Sequence, residues 1–128
     1  MREIKFRGKM QNGAWVYGSF WDHPVYPDII DEYSNHRLVD RETVGQFTGL
    51  LDSNGKEIYE GDILRFAPPL RWEDNERRVG VVVFKYYAFV VKYDDTSTGL
   101  FTLAVNEAPY TVIGNVHDNP ELLEVEHD

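Results

Sequence analysis

The sequence predicts a mainly β fold, and three observations support this prediction. Aromatic residues, which pack well on the pleated face of a sheet, make up 14% of the 128 residues. Two Asn-Gly pairs, Asn12-Gly13 and Asn54-Gly55, are strong signals for hairpin turns. Outside the C-terminus, we find no run of ten or more residues with strongly amphipathic helical spacing. We therefore expect short strands joined by tight turns.

The N-terminal part predicts a β-hairpin followed by an irregular segment. Glu3–Gly8 and Ala14–Phe20 alternate apolar and polar residues around an Asn-Gly turn. Trp21–Asp40 contains two prolines and many acids, with short strands predicted at Ile29-Ile30 and Arg37–Val39. A segment of this length without clear periodicity is usually a functional or oligomeric surface.

The central stretch Gly45–Phe66 predicts a second hairpin, from Gln46–Leu51 and Lys56–Tyr59. Asn54-Gly55 can form a type I′ turn, which needs two residues with positive φ. Leu51, Asp52 and Ser53 make the connection longer than a minimal hairpin, so a bulged or wider loop is an equal alternative. A Glu-Gly-Asp corner then leads into the next strand.

The second half predicts a small SH3-like β-barrel over about 58–116, because closure would remove exposed strand edges. The predicted strands are Ile63–Phe66, Val79–Phe84, Tyr86–Tyr93, Leu100–Val105 and Tyr110–Val116. Lys85-Tyr86 is the predicted turn between the second and third strands, unless they form one bent strand. Pro120 predicts a short C-terminal helix. The length fits one domain, residues 1–128, with the hairpin and irregular segment in 1–50 and the barrel-like part in 51–128.

Composition and charge favour some classes of function over others. The net charge of −9 repels phosphate backbones at long range, which disfavours general nucleic-acid binding. The chain has no cysteine, which excludes disulfides and thiolate metal sites and fits a reducing compartment. The N-terminus has no apolar signal region, and no apolar run reaches membrane-spanning length. We expect a cytoplasmic protein without membrane contact.

Four stretches carry a family resemblance: Arg2–Arg7, Trp15–Gly18, Gln46–Ile63 and Val112–Leu123. In these stretches the chain resembles the YopX-like proteins encoded by phages and prophages. The resemblance implies a mainly β fold, self-association and a mobile-element context. It implies no activity.

The residue types of a metal site or an acid–base pair are present, but their spacing is not diagnostic. Candidate metal ligands lie between residues 22 and 36, without HExxH or EF-hand spacing: Asp22, His23, Asp28, Asp31, Glu32 and His36. A solvated acidic loop is the preferred interpretation. Asp52 and Asp62 could form a carboxylate pair, but turn capping explains both. No nucleophile elbow or Walker A motif occurs. We therefore expect no catalytic residue, no cofactor and no metal.

Two groups of residues are candidates for partner contacts. The basic cluster with an aromatic residue comprises Arg65, Arg71, Trp72, Arg77 and Arg78. Arg and Trp are enriched at interface hot spots, although acids in the same loop offset the charge. The second group comprises Tyr86, Tyr87, Phe89 and Tyr93, some of which must face outward if the region is a strand.

The preferred hypothesis is a non-enzymatic, self-associating binding or assembly module of phage or prophage origin. Two alternatives stay open. The first is an acidic protein that binds a host factor, in the manner of a DNA mimic. The second is a small nucleic-acid-binding barrel that uses the basic cluster.

Overall fold

The computed structural model describes residues 4–67, 77–105 and 109–125. These residues form many short strands and two short helices, which confirms the predicted mainly β fold. The strands are β1 Phe6–Lys9, β2 Trp15–Trp21, β3 Asp28–Ile30, β4 His36–Leu38, β5 Asp40–Leu51, β6 Glu57–Tyr59, β7 Asp62–Phe66, β8 Arg78–Lys85, β9 Ala88–Tyr93, β10 Thr96–Gly99 and β11 Tyr110–Asn115. The helices are α1 Leu100–Val105 and α2 Glu121–Val125.

The strands form two antiparallel sheets. The first has the order β4-β3-β2-β1-β5-β6 and the second the order β10-β9-β8-β7-β11. The chain divides into two compact units, Met1–Gly49 and Leu50–Asp128. We call them the N-terminal unit and the C-terminal unit.

The N-terminal unit contains the predicted hairpin. Strands β1 and β2 pair from Phe6 opposite Gly18 to Lys9 opposite Trp15, around the predicted Asn-Gly turn. The two short strands predicted in the irregular segment are also present, as β3 and β4. The apolar core of the unit includes Ile29, Val39 and Phe47.

The loop between β5 and β6 settles the two alternatives for the second hairpin. Gly55 has a φ of 83°, whereas Asn54 is not in the left-handed region. The N–H of Gly55 donates to the carbonyl of Asp52, and the N–H of Asp52 donates to that of Lys56. The connection is therefore the wider, three-residue loop and not a type I′ turn.

The C-terminal unit is built around one apolar cluster. Its buried members come from β6–β9 and α1: Ile58, Leu64, Phe66, Val82, Val91, Leu100 and Leu103. Strand β8 includes the strand predicted at Val79–Phe84, and its Val82 is fully buried. The last two residues of β8, Phe84 and Lys85, are exposed. The end of the β8–β9 hairpin therefore lies outside this core.

The predicted SH3-like barrel is not found among the described residues. The second sheet is open, with β10 and β11 at its two edges. Backbone N–H groups of β11 instead meet the loop before β6: Val112 donates to Asp52 Oδ2 at 2.9 Å, and Tyr110 donates to Ser53 Oγ at 3.0 Å. A loop thus protects this edge, which removes the need for closure that motivated the prediction.

The strand predicted at Leu100–Val105 is also wrong, because these residues form α1. Leu100 and Leu103 lie three residues apart and are both buried, which is the spacing of one helix face. The polar residues of Asp94–Gly99 predict a turn, but Thr96–Gly99 forms β10 and pairs with β9. A short apolar run does not distinguish a strand from a helix by periodicity alone.

The predicted C-terminal helix is present as α2, and Asn119 organises the turn before it. The Asn119 side-chain oxygen accepts from the N–H of Asn115 at 3.2 Å, and its carbonyl accepts from the N–H of Leu122 at 3.1 Å. With five and six residues, the helices of the described chain are far too short to cross a membrane.

Candidate binding surfaces

The β8–β9 hairpin ends in a two-residue turn made of Tyr86 and Tyr87. Lys85 is paired with Ala88, so only the two tyrosines connect the strands. Their φ angles are 53° and 67°, which matches a type I′ turn. A residue other than glycine costs about 1–2 kcal/mol in this left-handed region. The turn therefore consists of residues that its backbone conformation does not favour.

Both tyrosines project into solvent, with exposed fractions of 84% for Tyr86 and 96% for Tyr87. The Lys85 Nζ lies 5.1 Å from the centre of the Tyr86 ring. Phe84, which is half-exposed, contacts Phe89 edge-to-face at 5.0 Å. We call Phe84–Tyr87 the tyrosine tip. It presents aromatic surface with one positive charge, a composition suited to a protein interface.

The expectation that some of the four aromatic residues face outward is thus confirmed. The turn predicted at Lys85-Tyr86 is one residue earlier than the turn of the structure, which consists of Tyr86 and Tyr87. Tyr93 packs inward instead, with its ring 4.9 Å from that of Phe66 and its hydroxyl 3.0 Å from Thr98 Oγ1. Phe89 also packs against the core cluster.

A groove of about 630 Å³ runs along β2 in the N-terminal unit. We call it the β2 groove. Its lining residues are Ile4, Lys5, Val16, Tyr17, Gly18, Ser19, Ile30, Asp31, Glu32 and Tyr33. Several of them are exposed apolar or aromatic side chains, notably Ile4, Tyr17 and Tyr33. This volume lies within the range of about 300–1,000 Å³ that is usual for ligand pockets.

The wall of the groove after β3 is held by Asp31. Its carboxylate accepts from the N–H groups of Tyr33 and Asn35, each at 2.9 Å, and forms an ion pair with Arg37 at 3.5 Å. The N–H of Asn35 is the main cause that lowers the pKa of Asp31 below its ordinary value. Asp31 is engaged within the loop, whereas Glu32, the other acid that lines the groove, is exposed.

Gly18 brings β2 and β3 together at the floor of this groove. A Cβ on Gly18 would lie 2.0 Å from the carbonyl oxygen of Ile30, which is far inside van der Waals contact. Any larger residue would have to displace the β3 backbone. The sequence could not reveal this close approach, although Gly18 lies in one of the stretches that carry the family resemblance.

The structure describes three of the five residues predicted for partner binding. Arg65 and Arg77 are exposed, and Arg78 forms an ion pair with Asp94 at 3.7 Å. Arg65 is directly opposite Val79 and Arg78 is opposite Phe66, so the two arginines project from opposite faces of the sheet. Arg71 and Trp72 lie outside the described residues.

Five of the six candidate metal ligands between residues 22 and 36, all except Glu32, have contacts within the chain. Arg41 binds the carboxylate of Asp22 at 2.8 Å and the carbonyl of His23. The His23 Nδ1 accepts from the N–H groups of Val25 and Tyr26. His36 Nδ1 lies 2.9 Å from the carboxylate of Asp28. Within the described part of the chain, no three His, Asp or Glu side chains are grouped as metal ligands.

Asp52 and Asp62 hold turns, as the capping interpretation predicted. Asp52 Oδ1 accepts from the N–H groups of Asn54 and Lys56, at 2.8 and 2.9 Å. Asp62 Oδ2 accepts from the N–H of Tyr59 at 2.7 Å. Burial alone would raise the pKa of Asp52, but the N–H groups of Val112, Lys56 and Asn54 together lower it below its ordinary value.

Comparison with known proteins identifies the family. A family model described as YopX protein matches residues 5–124. The chain belongs to the YopX family. A solved structure, the crystal structure of protein EF1440 from Enterococcus faecalis, is similar at 22% identity, with 96% of this chain and 99% of that chain covered and a TM-score of 0.56. That likeness supports the fold alone. No curated protein matches.

The YopX-like stretches mainly build the fold. Asp52 and Gly55 shape the β5–β6 loop, Gly18 allows β3 to approach β2, and Asn119 organises the turn before α2. The tyrosine tip and the 31–33 wall of the β2 groove lie outside these stretches. These two surfaces are therefore the places where function specific to this chain can be sought.

Proposed function

We propose that this YopX-family protein is a non-enzymatic binding module that associates with itself through the tyrosine tip. The observation that carries the proposal is the pair Tyr86 and Tyr87, which are almost fully exposed in a strained turn. Neither the core nor the turn geometry accounts for two tyrosines at these positions. A partner surface that buries them would compensate for both the strain and the exposure.

The cellular setting of the proposal rests on the sequence. We propose a phage or prophage protein that acts in the cytoplasm of the bacterial host, because the four YopX-like stretches and the cysteine-free composition are consistent with that setting. The proposal assigns no catalytic residue, cofactor or metal to the chain.

The test measures solution mass by light scattering after size exclusion, at two protein and two salt concentrations. We expect the parent protein to form a defined oligomer. The double variant Tyr86→Asn/Tyr87→Gly installs the residues that a type I′ turn prefers and removes both rings. It should have the mass of one chain, 14.9 kDa. Compared with the parent at a dilution where both are single chains, it should also unfold at a higher urea concentration, because the strain of about 1–2 kcal/mol per residue is relieved.

This design separates loss of contact from loss of fold. Phe101→Ser is the matched control, since Phe101 is an exposed aromatic of the same unit on α1, and it should keep the oligomer. A parent protein that remains at 14.9 kDa under all conditions contradicts the proposal. An undiminished oligomer in the double variant contradicts the role of the tip.

A further inference from the structure

We propose that the tyrosine tip of one chain docks into the β2 groove of a second copy, so that association is head-to-tail. This inference rests on the proposed self-association and names its two surfaces. The tip supplies Tyr86, Tyr87 and the ammonium of Lys85. The groove supplies apolar and aromatic walls with an acidic edge.

Shape and chemistry of the two surfaces match. A cavity of about 630 Å³ is large enough to accept an aromatic hairpin end. Tyr17 and Tyr33, exposed at the groove, are suited to stack with tyrosine rings, because aromatic pairs add about 0.5–1.5 kcal/mol to simple burial. Ile4 and Ile30 provide apolar surface beside them.

Charge also favours this pairing. Lys85 is the cation of the tip, and Glu32 is the exposed acid of the groove. The other charged groups of the groove are Lys5, which lies 5.3 Å from the Phe47 ring, and Asp31, which is engaged with Arg37. A contact between two identical tips would instead bring one Lys85 towards the other, and like charges across an interface are unfavourable.

A head-to-tail contact has a consequence that a two-fold contact lacks. Two different surfaces meet, so a pair of bound copies still presents one unused tip on one chain and one unused groove on the other. Growth therefore continues until a ring closes or a filament forms. The proposal predicts an oligomer larger than a dimer, unless a ring of two closes.

Mixing two defective variants tests the inference. The tip variant is Tyr86→Asn/Tyr87→Gly, and the groove variant is Glu32→Lys/Tyr33→Ser. Each alone should be a monomer. An equimolar mixture should form a one-to-one heterodimer that does not grow, because it contains one intact tip and one intact groove. The mass should be about twice 14.9 kDa.

Other contacts give other results. If tips bind tips, the groove variant keeps the parent mass, because its tip is intact, and no heterodimer forms in the mixture. Either result overturns the inference. Either outcome leaves the proposed self-association standing as long as the parent is oligomeric and the tip variant is not. Tyr26→Ser, which changes an exposed tyrosine outside the groove, should keep the parent mass.

A charge exchange between the two surfaces provides a second test that leaves the aromatic residues intact. Lys85→Glu and Glu32→Lys should each raise the dissociation constant about tenfold, because each brings like charges together. The chain that carries both changes should recover most of the parent affinity. If the combined chain is as weak as the sum of the single changes, Lys85 and Glu32 do not meet.

Discussion

Two turns of the C-terminal unit solve the same backbone problem with opposite kinds of residue. The β5–β6 loop places a glycine, Gly55, in the left-handed region, and the Asp52 carboxylate binds the surrounding N–H groups. The β8–β9 turn places Tyr86 and Tyr87 in that region, with both rings in solvent. Folding explains Asp52 and Gly55 in the first turn. It does not explain the tyrosines of the second, which is why we assign them to binding.

The largest expected effect in this comparison comes from Asp52→Ala. The change leaves the N–H groups of Asn54, Lys56 and Val112 without their acceptor, so the loop loses one of its contacts with β11. We expect a loss of about 3 kcal/mol in the free energy of unfolding, measured by urea denaturation, because hydrogen bonds to charged groups contribute about 1.5–3 kcal/mol each. Any solution oligomer should survive wherever the chain stays folded.

The control for this change is Asp95→Ala, which alters an exposed acid in the β9–β10 turn. It should shift stability by no more than about 0.5 kcal/mol. If Asp52→Ala were equally mild, the carboxylate would not be what holds the loop, and the contrast between the two turns would lose its basis.

Much of the fold follows from local signals, whereas the candidate surfaces do not. Asn-Gly pairs and alternating residues predicted the hairpins, because turn chemistry and strand periodicity act over a few residues. The barrel prediction was wrong because the contact that protects the β11 edge is long-range. The N–H of Val112 binds the side chain of Asp52, and these residues lie 60 apart in sequence. No local rule gives such a contact.

The two candidate binding surfaces show the same contrast between local signals and long-range contacts. The sequence indicated that some of the aromatic residues near Tyr86 face outward, but a Tyr-Tyr pair is not a turn signal, so the turn was placed one residue early. The sequence indicated a functional surface within Trp21–Asp40, which includes one wall of the β2 groove. It did not predict the groove itself, because the groove depends on how β3 leaves β2 after Ile30. Gly18 marks that place only once the 2.0 Å approach to Ile30 is known.

An exchange of residue types between the two turns should have an intermediate effect on stability. Gly55→Tyr should destabilise the chain by about 1–2 kcal/mol, because a tyrosine resists the left-handed region. A Cβ at this position meets nothing within 4 Å, so the loss reports conformational strain and not a clash. Tyr87→Gly should change stability in the opposite direction, by about 1 kcal/mol. Urea denaturation of both variants checks the signs, and a neutral Gly55→Tyr would show that the strain assigned to the tip is overestimated.

The smallest expected effect is a dependence on pH that belongs to one turn alone. The pKa of Asp52 is lowered from the ordinary value of 3.8, despite burial that opposes this, by the N–H groups of Val112, Lys56 and Asn54. A carboxyl group whose pKa is depressed on folding stabilises the fold fully above its unfolded pKa, and this contribution is lost as the pH falls through the folded value. The stability difference between the parent and Asp52→Asn should therefore be constant near neutral pH and shrink as the pH falls below about 4. Urea denaturation at a series of pH values measures this stability difference.

The difference between the parent and Tyr86→Asn/Tyr87→Gly should stay constant over the same range, because that change removes strain and not an acid. If both differences shrank together, acid would be acting on the unit as a whole, and the two turns would not be independent features of the fold.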